Sequence, residues 1–389
     1  MTPHPLPEAA AIVPRKERIA ISSIFLINGI MVANWLIRIP DVKQALQLSD
    51  GTLALALLAS ALGALVGQPI MGVAISRFGS QITTTVAALV FSLTMFLPGL
   101  APNLWLISLA LFIFGAWNGS LDVAMNAQAT KVEGLYGKTI INSFHGLWSL
   151  GGLIGAFMGG YAAQTLSLQT HLSMMGVFGL IAMTIATRFL LVDKGNNEGE
   201  GFKLSLPPPV LIPLGIIAFC NLVAEGAVGD WSAIYLREHL GSSPAMGAAA
   251  FGAFSLCMAF GRLTGDWVTR YVGTFKLMAG GGVLTTIGAL MVVGTTVPLI
   301  VIIGFAIMGI ALACIFPLVL STASRTPGIA PSIGIAAMAS VGYSGFLAGP
   351  PIFGMISNFS SLRIALTLLV VFGLLMILCS FIARKQGTI

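Results

Sequence analysis

Long apolar runs, broken only by short polar punctuation, fill almost the whole chain. With Gly, Pro and charged residues as boundaries, they fall near residues 19–39, 51–75, 81–100, 103–129, 139–163 and 171–191, then near 209–237, 244–269, 275–294, 297–320, 329–355 and 360–383. A helix that crosses a bilayer needs about 20 apolar residues, and each run is of that order. The pattern predicts an all-α membrane protein with twelve transmembrane helices. Arg15, Lys16 and Arg18 precede the first run, and no small-residue cleavage site follows it. That run therefore reads as a retained span, not a secretory signal. The most polar interval between runs holds Asp193, Lys194, Glu198, Glu200 and Lys203 ahead of three prolines. It reads as a linker over 193–208 between two units, 1–192 and 209–389.

The cations set an expected orientation. With the N-terminus placed in the cytoplasm, fifteen of the nineteen Lys and Arg residues fall inside, Arg262 among them; only Arg38, Lys43, Arg237 and Arg363 fall outside. Loops rich in Lys and Arg stay cytoplasmic, so both termini are expected there. The halves also repeat. Asn34-Trp35 matches Asp230-Trp231 at an offset of 196, Gly115 matches Gly309 at 194, and Gly146 matches Gly342 at 196. A near-constant offset in one order predicts two pseudo-symmetric six-helix bundles in parallel orientation. Such a duplication places a solute site between the halves, near the bilayer midplane.

Composition narrows the class. Of 389 residues, 57% are hydrophobic and 8% charged, against roughly 25% charged in soluble domains. So few charges cannot cover a soluble surface, which excludes an ordinary cytosolic enzyme, a disordered chain and a nucleic-acid binder. The net charge of +6 comes from cations scattered between apolar runs. Cys220, Cys257, Cys314 and Cys379 lie inside those runs without C-x-x-C spacing; they read as small buried hydrophobes, with no disulfide or metal implied. No G-x-x-x-x-G-K-[ST] loop is present, so nothing suggests an ATP-driven pump.

An ionisable residue facing lipid costs about 2.5–3.5 kcal/mol or more, so polar groups within spans mark a cavity or a partner. In the fourth span Asn118, Asp122 and Asn126 recur at i, i+4 and i+8 on one stripe. In the fifth, Asn142, His145 and Ser149 recur at i, i+3 and i+7, again on one stripe. Counting residues to the span ends puts Asp122 and His145 at matching depth, roughly 10–12 Å from the cytoplasmic surface, where they are expected to bond. A carboxylate that exchanges a proton in a dry site is what proton coupling requires, and His145 would relay that proton. In the seventh span Asn221 and Glu225 share a face, and Glu225 is a second protonation candidate. Asn28 and Trp35 line the same expected cavity from the first span, with Trp231 from the seventh. Arg38 and Asp230 both lie in the outer third and are expected to form a gate pair. Gly151, Gly155 and Gly159, like Gly345 and Gly349, form small-x-x-x-small ladders that let helices approach closely.

The segments after the second and eighth runs read Gly72-Val-Ala-Ile-Ser76-Arg77-Phe-Gly79 and Gly265-Asp266-Trp-Val-Thr-Arg270-Tyr-Val-Gly273. In these loops the chain resembles the major facilitator superfamily, whose loop motif places Gly, Asp, Arg and Gly at such spacing. The first copy has Ser76 where Asp is usual; the second keeps Asp266. Asp122-Val-Ala-Met-Asn126, His145-Gly-x-Trp148-Ser149 and Glu225-Gly-x-x-x-Asp230-Trp231-Ser232 resemble a bacterial branch near the fucose-permease-like transporters. The resemblance implies a twelve-helix, two-bundle transporter of the bacterial inner membrane in which Gly72, Arg77, Gly79, Gly265, Asp266 and Arg270 form conformational loops. Its expected partners are a small-molecule solute, protons and the lipid bilayer, with no cofactor or nucleic acid, and a monomer is the default expectation. Ala156 stands where family antiporters carry Pro, and the fourth span lacks another family Arg.

The leading expectation is proton-coupled symport of a small polar, sugar-like solute, because Arg38 alone would supply positive charge. The alternative is a proton-antiport exporter of sugars or lipophilic compounds. A membrane receptor or an intramembrane hydrolase is the reading from another class. Gly342-Tyr-Ser344-Gly345 matches a protease serine motif, but no His follows to activate Ser344.

Overall fold

A computed structural model of the chain describes residues 14–195 and 207–389. Its helices are α1 (Arg15–Ala45), α2 (Asp50–Phe78), α3 (Ser80–Leu100), α4 (Leu104–Tyr136), α5 (Ile141–Thr165), α6 (Leu168–Thr187), α7 (Pro209–His239), α8 (Pro244–Val272), α9 (Thr274–Gly294), α10 (Pro298–Ser324), α11 (Pro331–Phe359) and α12 (Leu362–Lys385). Short irregularities interrupt α3 near Met95, α10 at Ala313–Cys314 and α12 at Thr367. Each helix coincides with one apolar run. Eleven are long and apolar enough to cross a membrane. The twelfth, α5, carries Asn142, His145, Trp148 and Ser149, and it packs on α1 along one side and α8 along the other. Its polarity follows from that placement among protein neighbours.

Helix starts have a simple local cause. Ser49, Asn103, Ser167, Ser243 and Ser361 each accept a backbone N–H three residues on, from Thr52, Leu106, Thr170, Met246 and Ile364. Such a cap satisfies a donor the helix leaves orphaned and contributes about 1 kcal/mol. All five caps begin even-numbered helices, so they lie on one face of the molecule, called here the far face. The described chain starts and ends on the opposite, termini face.

The packing repeats. In the first half α1 meets α5 and α6, α2 meets α4, and α3 meets α4 and α6. In the second half α7 meets α11 and α12, α8 meets α10, and α9 meets α10 and α12. The two pseudo-symmetric bundles are thus built from one contact plan. Close approaches repeat too: a Cβ on Gly115 would strike the Ser60 carbonyl, and one on its counterpart Gly309 would strike the Phe254 carbonyl. Gly151 and Gly155 likewise admit the backbone of α1, and Gly345 admits α7. A Cβ on Gly349 would meet no other atom, so only Gly345 of that pair is needed for a close helix approach. Between bundles, α5 runs along α8, α2 meets α11, and α1 meets α7. The outer belt is apolar, with Leu55, Ile70, Phe157, Ile181, Phe260, Leu290 and Leu374 exposed, as lipid contact requires.

One sequence expectation changes here. The segments expected as conformational loops are mostly helical: Gly72 and Arg77 lie in α2, and Gly265, Asp266 and Arg270 lie in α8. Only Gly79 and Gly273 turn the chain, both at φ of 84°, a conformation glycine adopts without Cβ strain. The apolar run underestimates helix length because the last turn projects beyond the apolar layer and turns polar.

Candidate functional site

Asp122, His145, Asp230 and Tyr343 lie deep among protein atoms yet keep part of their surface accessible. Deep placement with residual access marks an internal cavity, and these side chains come from α4, α5, α7 and α11. On the first-half side a polar chain ties three helices together. Trp148 Nε1 on α5 donates to Asn28 Oδ1 at 2.7 Å, and Asn28 Nδ2 donates to Asn118 Oδ1 on α4 at 3.0 Å. Asn126 Nδ2 donates to the Asp122 carboxylate at 3.1 Å and to the Asp122 carbonyl at 2.9 Å. Asp122 has no ionic partner among the described residues.

The centre of the site is a residue counted as a cytoplasmic cation from sequence. Arg262 lies within α8, ten residues before its end. Its Nη2 meets Glu225 Oε1 on α7 at 3.2 Å, and its Nη1 donates to Ser149 Oγ on α5 at 2.9 Å. The guanidinium also stands 6.0 Å from the Trp148 ring centroid. Arg262 therefore binds a carboxylate of its own half and a hydroxyl of the other. Tyr343 lies within electrostatic range of both Asp122 and Glu225. A signal was present: Arg262 falls inside the apolar run 244–269, where a charge needs a partner. Tyr343 had no comparable mark, because aromatic residues are ordinary in such runs.

Other expectations are corrected. Asp122 and His145 do not bond; the His145 ring packs edge-on against Phe25 at 5.3 Å. The depth count failed because α4 continues to Tyr136, well past the end of its apolar run. Trp35 is 3% exposed and leans on Phe114, and Trp231 is fully buried, so neither lines the cavity. Asn221 is also fully buried, with neither amide atom partnered. Ser344 Oγ donates to the Val341 carbonyl at 2.6 Å.

At the far face the expected Arg38–Asp230 pair is replaced by another network. Arg38 Nε lies 2.8 Å from Asp41 Oδ2, in ionic contact without hydrogen-bond alignment. Asp41 Oδ1 accepts from Arg237 Nη2 of α7 at 2.8 Å. Lys43 stands 2.5 Å from Asp50 and also pairs with Glu238 of α7. Ser357 of α11 donates to Asp50. Asp230 has no ionic partner among the described residues, because Asp41 sits one turn from Arg38 on the same helix and takes the guanidinium first. An open pocket of about 540 Å³, lined partly by Pro40, Lys43, Arg237 and Glu238, borders this cluster.

At the termini face Asn142 Nδ2 donates to Asp266 at 2.5 Å, joining α5 to α8. The expected linker 193–208 lies outside the described residues over 196–206, but its first residue is anchored. Asp193 accepts from Ser80 N at 2.8 Å, Ser80 Oγ at 2.9 Å and Gln81 N at 2.8 Å, and it pairs with Lys131. Burial would raise its carboxyl pKa, but Lys131 and the Ser80 and Gln81 donors hold it below the usual value. It caps the N-terminus of α3, where negative charge is favoured.

Twelve helices in two matching bundles around a buried polar centre define a secondary transporter. The Major Facilitator Superfamily profile matches residues 19–330, and the chain belongs to that superfamily. It is 32% identical over 344 residues to an uncharacterised MFS-type transporter of Yersinia pestis, covering 88% of this chain and 89% of that one. Among solved structures it is similar to the nucleoside transporter NupG in its D323A form, with a TM-score of 0.76 at 12% identity, covering 95% of this chain and 99% of the other. A bacterial homologue of the human lysosomal transporter Spinster gives 0.73 at 15% identity, covering 95% and 96%.

Proposed function

We propose that the chain is a proton-coupled symporter of a small polar, sugar-like solute, working by alternating access. Units 1–192 and 209–389, joined by 193–208, rock about the central site as a monomer in a bacterial inner membrane. Both termini are cytoplasmic, which makes the far face the outer one. The observation that carries the reading is the position of Arg262 between Glu225 and Ser149. Protonating Glu225 removes the ionic partner of Arg262, and the same guanidinium holds the opposite bundle through Ser149. A proton at one carboxylate thus alters a contact between halves, which is what coupling requires. Asp122, deep and without an ionic partner among the described residues, is the second site whose charge a proton can cancel; His145, which does not bond to it, would relay that proton only through an intervening group. With Arg262 engaged by Glu225, Asp122 leaves the site net acidic. That balance supports a neutral or amine-bearing solute over a phosphate or dicarboxylate.

The test is proton movement into proteoliposomes that contain a trapped pH dye, with a panel of sugars and amino sugars added outside under an inward proton gradient. One or more solutes should acidify the lumen in the wild type. Asp122→Asn should abolish that signal and leave solute binding measurable by thermal unfolding. Uptake that acidifies the lumen as well in Asp122→Asn removes Asp122 from the coupling role. Uptake without any proton movement refutes symport.

A further inference from the structure

We propose that His171 is a proton-binding site on the outer side whose occupancy is mutually exclusive with the closed outer gate. His171 lies on α6 and is 3% exposed. Its Nε2 stands 2.8 Å from Asn34 Oδ1, and its Nδ1 stands 3.4 Å from Arg38 Nη1. Asn34 is oriented independently, because its Nδ2 donates to the Ile30 carbonyl at 2.8 Å. Asn34 Oδ1 is therefore an acceptor, and Nε2 must carry the ring's hydrogen. Arg38 has donors only, so Nδ1 must be a bare acceptor. The closed state holds one tautomer of the neutral ring and has no place for a second proton.

A proton on Nδ1 would set N–H against N–H and positive charge against positive charge. Arg38 would have to leave, and Arg38 is the root of the gate. It donates to the Leu166 carbonyl at 3.3 and 3.2 Å and contacts Asp41, which takes Arg237 from the other bundle. Proton binding at His171 and the Asp41–Arg237 bridge are thus linked by one guanidinium. By linkage, whatever favours the open gate favours the proton, and the reverse.

The surroundings leave few other titratable groups. From α1, Arg38 and Asp41 face the ring. The α3 segment, including Pro98–Leu100, has no ionisable side chain. From the near end of α5 comes only Tyr161, which is 68% exposed and turned away. The cluster is also absent from the second repeat. At the offset of 196 that relates Asn34 to Asp230, Arg38 maps to Ile234 and His171 to Thr367. A buried polar cluster present in only one of two copies of the same packing plan is not required by that plan.

The proposal rests on the far face being the outer gate, and it does not require that transport be proton-driven. The experiment measures spin-label distances between Gln44→Cys on α1 and Ala245→Cys on α8, both exposed, in full-length protein without its native cysteines. Unperturbed histidine titrates near pH 6.5, so spectra are taken at about pH 8 and about pH 5.5. The ratio of long to short distances should rise about fivefold or more on acidification, a typical coupling magnitude. In His171→Gln, whose amide still bridges the partners, the ratio should not respond to pH. Should that variant misassemble, Arg38→Met serves instead, with long distances expected at both pH values. A wild type without pH response, or a response that survives in either variant, overturns the proposal. Failure of proton-driven uptake in liposomes would leave this result standing.

Discussion

The Glu225–Arg262 pair makes a sharp energetic prediction. Both side chains are largely enclosed, at 14% and 16% exposure, and their nearest atoms are 3.2 Å apart. At an effective dielectric near 20 the gross attraction at that distance is about 5 kcal/mol, and most of it offsets the desolvation of both ions. Removing one partner leaves the other charge buried without compensation, which costs about 3–5 kcal/mol. Removing both leaves only lost hydrogen bonds. Glu225→Gln and Arg262→Gln should therefore each destabilise strongly, while the double variant should fall no further than either single, a coupling of about 3 kcal/mol or more. Thermal unfolding in detergent reads this directly. A kilocalorie moves the midpoint by about 2–4 °C in a domain the size of one bundle, so each single variant should fall by roughly 6 °C or more. Solute-free protein at neutral pH keeps ligand linkage out of the comparison. If the double variant falls by the sum of the singles, the two side chains are energetically independent and the coupling argument built on them fails.

Two further outcomes follow from local geometry. Asp193→Asn keeps the shape of the cap on α3 but loses its charge against Lys131 and the helix N-terminus, so it should lower stability by about 1–2 kcal/mol, read by the same unfolding assay. The Asp193 pKa is lowered in the folded chain, so its contribution is present above the unfolded value of about 3.9 and fades as pH falls through the lower folded one. An Asn variant should accordingly match the wild type only in strong acid. Gly115→Leu on α4 would drive a side chain into the Ser60 carbonyl of α2; it should cost about 2 kcal/mol or more, and an unchanged midpoint would show that the helices separate freely.

All twelve helices and the duplication were readable before any coordinate. Lipid imposes a one-dimensional rule: a span must be apolar for a fixed length, and its backbone must satisfy itself. Asp122, Glu225 and His145 were readable as interior groups for the same reason. Their partners were not. Arg38 had two acids within plausible reach, and distance along a helix cannot say that Asp41 and not Asp230 takes the guanidinium. Arg262 was visible inside an apolar run, but its bond to Ser149 depends on α5 and α8 lying side by side, 113 residues apart in the chain. Trp35 and Trp231 share residue type with Trp148, yet only Trp148 reaches the cavity, because helix rotation sets which face turns inward. Hydropathy along the chain thus dictates what must lie in the membrane, while ion-pair and hydrogen-bond choice depends on a few ångströms of side-chain reach between helices, which only their packing supplies.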